Sequence, residues 1–122
     1  MNPKHHTSLP IAKQLAEAGI VIESEYGWVG FINDNGGEYF EVKHERDSYP
    51  PRYPAPITTE ILEWFPKGYD FGFELIKLGE GYGAICKDYR VMPYKRIGFE
   101  KDDNASDALA LLLIRLTKDG LM

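Results

Sequence analysis

Residues 104–118 read NASDALALLLIRLTK, and this stretch constrains the rest of the chain more than any other. Asn104 is a good helix cap, and Asp107 sits in the first turn, where the helix end favours a carboxylate. Lys118 and Gly120 complete the signals for a C-terminus. At about 100° per residue, Leu109, Leu112, Leu113 and Leu116 gather on one side that has to be buried. Asp107, Arg115 and Lys118 mark the opposite side, and Leu111 and Ile114 fall within it. The core stripe does not need those two. Beside Arg115 they are expected to form a partner surface, most simply an isologous dimer through this helix.

A helix of this kind needs a sheet to lie on, and the chain supplies strand patterns. IVIESEYGWVGFI and EYFEVKH flank NDNGG (33–37), whose Asn35-Gly36 pair predicts a type I′ hairpin over residues 20–44. Tyr26, Trp28 and Ile32 lie on one face of the first strand, Val29 and Phe31 on the other. FGFELIKL, YGAICKD and VMPYKRIGFE predict three more strands. GEGYG (79–83) is the turn between the first two, and Pro93 confines the third to an edge or breaks it. Two short helices complete the set. One spans about 9–18, with Ser8 as cap and Gly19 as left-handed stop. The other follows Thr58 or Thr59, with Ile61, Leu62 and Phe65 as its apolar stripe and Pro66 at its end.

The order α-β-β-α-β-β-β-α lacks the regular βαβ alternation of a doubly wound parallel sheet. It predicts one α+β domain over residues 1–122: an antiparallel sheet of about five strands with three helices on one side. Residues 1–7 are expected to be flexible. The chain has a single cysteine, Cys86, and its N-terminus has no apolar core of a signal peptide. The longest apolar run, Ala108–Ile114, is too short to span a bilayer. These features predict a cytoplasmic protein with no internal disulfide and no membrane partner. A net charge of −5 and a pI of about 5.2 disfavour duplex DNA as a partner.

Two stretches carry a resemblance. Pro54-Ala55-Pro56, Thr58-Thr59-Glu60, Leu62, Trp64 and Pro66 form the first, and Ser106-Asp107-Ala108-Leu109-Ala110 with Leu112-Leu113 the second. In this order, after a short helix and a Tyr/Trp-rich hairpin, the chain resembles small proteins of bacterial prophages and mobile elements of Bacteroidetes type. The resemblance covers most of the chain. It implies a bacterial or phage cytoplasmic origin and carries no activity, because the shared motifs are a cap, an apolar stripe and a helix.

The remaining motifs each have a plain structural reading. YPPRYPAP (49–56) contains the P-P-x-Y and P-x-x-P patterns of polyproline ligands, but proline pre-sets extended backbone and a stiff connector suffices. GEGYG lacks the spacing and the following helix of a phosphate loop. His5-His6 has no third nearby ligand at zinc-site spacing, and His44 beside Glu45 and Asp47 has no visible nucleophile to serve. Cys86 sits in a strand pattern as a small buried hydrophobe. Asn104-Ala105-Ser106 is a helix cap rather than a sequon. No cofactor or metal site and no catalytic constellation is expected. The function expected is that of a non-enzymatic accessory or interaction protein. The alternative is a single-stranded nucleic-acid-associated protein using residues 87–101. There Lys87, Arg90, Lys95, Arg96 and Lys101 outnumber Asp88 and Glu100 and interleave with Tyr89, Tyr94 and Phe99. Its candidate contacts are Arg90, Tyr94, Lys95 and Arg96.

Overall fold

The structure is a computed structural model and describes residues 6–65 and 70–121. Its elements run α1 (Leu9–Glu17), β1 (Tyr26–Ile32), β2 (Glu38–His44), a single 3₁₀ turn (Glu45–Asp47), β3 (Tyr53–Pro54), α2 (Thr58–Trp64), β4 (Phe71–Leu78), β5 (Gly81–Asp88), β6 (Lys95–Asp102) and α3 (Ala105–Lys118). The class is α+β with three helices, but the six strands form two separate three-stranded antiparallel sheets, ordered β2-β1-β3 and β4-β5-β6. A single sheet of about five strands is therefore corrected. The proline stretch is the reason. It pairs Tyr53 with Trp28 and Pro54 with Gly27, which makes it the third strand of the first sheet. Pro54 and Pro56 then lack the N–H donors that a further strand would need.

The helix α3 is the centre of the core. Its face toward the second sheet meets Ala84 and Cys86 of β5, and α1 and α2 pack on its other sides. Ile114 is 4% exposed and Leu111 is partly buried against the same cluster. The exposed apolar pair expected on this helix is thus absent. Its supposed polar side is covered by the two short helices, which the 100° rule cannot place. Arg115 is exposed, and its Nη1 donates to the Phe99 carbonyl at 3.2 Å and to Glu100 Oε1 at 3.4 Å, tying α3 to β6.

The first turn of α3 is a buried polar junction. Asn104 Oδ1 accepts from the N–H groups of Ser106 and Asp107, as expected of the cap. Asn104 Nδ2 donates to the His6 carbonyl at 2.7 Å, and Asp107 Oδ1 accepts from the Ser8 N–H at 2.8 Å. Ser106 and Thr58 share a hydroxyl contact at 3.0 Å that joins α3 to α2. His6 and Thr7 are consequently buried, not flexible, and His6 forms an isolated bridge to Ile57. Residues 1–5 of the expected flexible segment lie outside the described residues, as does Pro66 at the expected end of α2.

Four local expectations are corrected. Ser8 stands at the cap position of α1, but its side chain makes no cap bond. The cap of α2 is Ile57, because Glu60 reaches back to accept from the Ile57 N–H at 2.9 Å. Leu62 of the α2 stripe is exposed, while Ile61 and Phe65 are buried. The hairpin turn is not type I′. Only Gly36 is left-handed there, with φ of 82°, and the Asn33 side chain closes the loop by accepting from the N–H groups of Asn35 and Gly37.

Two stability outcomes follow. Burial, outweighing the Ser8 hydrogen bond, pushes the Asp107 carboxyl above its ordinary value of 3.8. A raised carboxyl pKa is a contribution fully present below the unfolded value and lost as pH rises through the folded one. Relative to wild type, Asp107→Asn, which keeps an acceptor for Ser8, should therefore gain stability as pH rises from about 4 to neutral. Asp107→Ala should lose about 1–3 kcal/mol by orphaning the Ser8 N–H. Urea titrations across that range check both, and a gap between wild type and Asp107→Asn that does not change with pH would contradict the first. Separately, a Cβ on Gly27 would collide with the Pro51 ring. Gly27→Ala should cost about 1–3 kcal/mol, because a rigid ring cannot yield as a flexible chain does.

Candidate functional site

Two surfaces gather groups with binding chemistry. The first is the face of the second sheet turned away from α3. Strand alternation puts Ala84 and Cys86 toward α3 and Gly83, Ile85 and Lys87 on the opposite face. Register adds Ile76 and Glu74 from β4 and Phe99, Lys101 and Arg96 from β6. A β-bulge opposite Cys86 and Lys87 inserts Ile97 as an extra residue, which turns back toward the core. Among the described elements, α3 is the one that packs extensively on this sheet, and it does so on the other face.

The residues singled out in segment 87–101 separate between the two sides. Arg96 and Tyr94 belong to the open face. Lys87 lies over the Tyr94 ring at 4.9 Å and Arg96 over the Phe99 ring at 5.3 Å. Lys87 also pairs with Glu74 at 2.9 Å, and that contact chiefly holds its ammonium above the usual range. Arg90 points elsewhere. Its Nε and Nη2 each bond Asp88 at 3.0 Å, and its guanidinium lies 4.7 Å over Phe71. The same bonds hold the Asp88 carboxyl below the usual range. Lys95 sits opposite Asp88 on β6 and is exposed. On α3, Ile114 is a core residue, Leu111 is partly buried, and Arg115 is bound to β6.

The second surface is a cleft of about 520 Å³ on the first sheet, within the size range of small-ligand sites. Its walls are Tyr26 and Trp28 of β1, His44 of β2, His6, and Arg46 and Asp47 of the 3₁₀ turn. The His6 and Trp28 rings meet edge to face at 5.4 Å, and Tyr26 and His44 at 5.0 Å. Trp28 Nε1 donates to the Thr7 carbonyl at 3.0 Å. His6 Nδ1 lies 2.9 Å from the same carbonyl, which can only accept, so Nδ1 carries a proton and a neutral ring leaves Nε2 as an acceptor. His44 has the opposite tautomer when neutral. Its Nδ1 accepts from the Arg46 N–H at 3.2 Å, and Nε2 lies 3.5 Å from Glu25. The sequence places Tyr26, Trp28 and His44 on one face once the hairpin register is known. Nothing in the sequence brings His6 to them, because that contact depends on the long-range junction at Asn104.

Among the described residues no group of three or more His, Cys, Asp or Glu is placed to hold a metal ion, and no helix is long and apolar enough to cross a membrane. Comparison with known proteins finds no matching family model, curated protein or solved structure.

Cys86 is 1% exposed, and burial first, then the Asp88 charge, pushes its thiol up to about 11. A thiol so placed is a poor nucleophile at neutral pH. Iodoacetamide should leave the native protein unlabelled at pH 8 and modify it only after denaturation. Rapid labelling of the folded chain would contradict that assignment.

Proposed function

We propose that the protein is a non-enzymatic interaction protein of a bacterial phage or mobile element, and that a protein partner docks on the open face of its second sheet. The observation that carries the reading is the composition of that face. Ile76, Leu78 and Phe99 are each only partly buried there, and Lys87, Arg96 and Lys101 surround them. An apolar centre inside a charged rim is the anatomy of a protein interface.

Single-stranded nucleic acid is the rival occupant, and two contacts weigh against it. Base stacking needs free ring faces, yet Tyr94 and Phe99 each already hold a cation of the same chain. Phosphate binding needs free cations, yet Lys87 is paired with Glu74 and Arg90 with Asp88. Lys95, Arg96 and Lys101 then remain on an acidic chain with net charge −5. An acidic-rimmed protein surface meets them with no need for ring stacking.

The test is affinity capture from bacterial host lysate, with and without nuclease, using wild type beside an Arg96→Glu, Lys101→Glu variant shown to be folded by circular dichroism. A nuclease-resistant protein retained by wild type and lost by the variant is the expected result. Nuclease-sensitive capture, or affinity for an oligothymidylate that falls steeply with added salt, would overturn the reading in favour of nucleic acid.

A further inference from the structure

We propose that the cleft on the first sheet binds an alkylammonium group, the head of a free quaternary or primary amine or of a lysine side chain. This inference is independent of the partner surface on the second sheet.

The rings supply the first reason. A cation over the face of an aromatic ring is attracted by the ring quadrupole, most strongly for Trp. At several rings the chain satisfies that attraction itself: Phe31, Phe40, Tyr49, Phe71, Tyr82, Tyr94 and Phe99 each have a Lys or Arg within cation–π range. Tyr26 and Trp28 are among the described rings with no such cation, and both line the cleft of about 520 Å³. The indole N–H is committed to the Thr7 carbonyl, so Trp28 presents a ring rather than a donor to a ligand.

The charges supply the second. The lining includes two carboxylates, Glu41 and Asp47, against one guanidinium, Arg46. Just outside the lining, Glu25 adds a carboxylate 3.5 Å from His44, and Lys43 adds an ammonium 3.3 Å from Glu41. An anion would meet more negative than positive groups there. Asp47 Oδ2 accepts the His44 N–H at 3.2 Å, which fixes the carboxylate at the cleft edge and leaves Oδ1 to accept from a ligand. His6, which is only 5% exposed, closes one side of the cleft. Aromatic rings, a fixed carboxylate and an excess of negative charge suit an ammonium head and match neither a phosphate nor a plain hydrocarbon.

The test follows the indole N–H resonance of Trp28 during titration of the full chain with choline, with its neutral isostere 3,3-dimethylbutan-1-ol, with lysine amide and with inorganic phosphate. Choline or lysine amide should shift this resonance saturably in the millimolar range, and the comparison between the two separates a quaternary from a primary head. The neutral isostere should bind at least about tenfold more weakly, the contrast expected of a desolvated cation–π contact. Asp47→Asn keeps the cap to His44 and removes the charge, so it should weaken choline or lysine amide about three- to tenfold while leaving the isostere unchanged. Equal binding of choline and its isostere would overturn the proposal by showing an apolar cleft without charge preference. Preference for phosphate, or no shift with any amine, would overturn it as well.

Discussion

The polar junction at the first turn of α3 is the constraint on which the rest of the structure hangs. A helix N-terminus buried in a core leaves backbone donors that must find partners. Here Asn104 satisfies the Ser106 and Asp107 donors, and its amide then binds the His6 carbonyl. Asp107 takes the Ser8 donor, and Ser106 meets Thr58. One turn of helix therefore fixes the entry of α1, the start of α2 and the N-terminal segment. The dependence continues outward: with His6 and Ser8 fixed, the Thr7 carbonyl between them is placed to receive the Trp28 indole. Trp28 belongs to the central strand of the first sheet, which has few other ties to the main core. The geometry of the cleft is thus set by a cap at the far end of the sequence.

Local chemistry was legible in the sequence and tertiary partnership was not. The Asn104 cap, the Gly19 stop and the paired strands of both hairpins follow from residue type and period, and all are present. The errors share one cause. Ile114 is on the polar side of its own helix and is nevertheless buried, because α1 and α2 cover that side. Asp107 shares that side and is also buried, its charge met by a backbone donor distant in sequence. The sequence points to Thr58 or Thr59 as the cap of α2, but the cap is Ile57, because the carboxylate of Glu60 serves three donors at once, from Ile57, Ser24 and Glu25. The proline stretch has the sequence of a connector. It does connect, but it also pairs with β1, since Arg52 and Ala55 keep the N–H groups that the prolines lack and donate to the Trp28 and Tyr26 carbonyls. The cleft was half legible: its strand residues follow from alternation, while His6 does not.

Cation–π contacts run through the whole surface and explain how an acidic chain keeps so many aromatic rings near water. Lys43 lies over both Phe31 and Tyr49, and Arg52 over Phe40, on opposite faces of the first sheet. Long cationic stems cover apolar area while the charged heads stay solvated. The tyrosine that opens the proline stretch, Tyr49, is 47% exposed and still has its ring edge-to-face with Phe31 at 5.5 Å. Lys87, Arg90 and Arg96, which look like part of a nucleic-acid footprint in sequence, lie over rings of the same chain in the same way.

The two faces of the second sheet show what this arrangement leaves undone. On the α3 side Ala84 and Cys86 are essentially sealed, at 0% and 1% exposure. On the open side Ile85 is also buried, at 7%, although none of the described helices covers it. Its neighbours accomplish this. Ile76, Leu78 and Phe99 lean in over Gly83, close enough that a Cβ on that residue would come within 2.8 Å of Leu78 and 2.9 Å of Phe99. The central strand is thus sheltered by side chains that themselves remain half in water. Such a half-layer stabilises the sheet without completing it, because each of those apolar groups would gain further by leaving solvent. Hydrophobic burial is non-directional, so the gain is open to any surface of matching shape. In the proposed reading, the charged rim of Lys87, Arg96 and Lys101 gives the open face its preference among such surfaces.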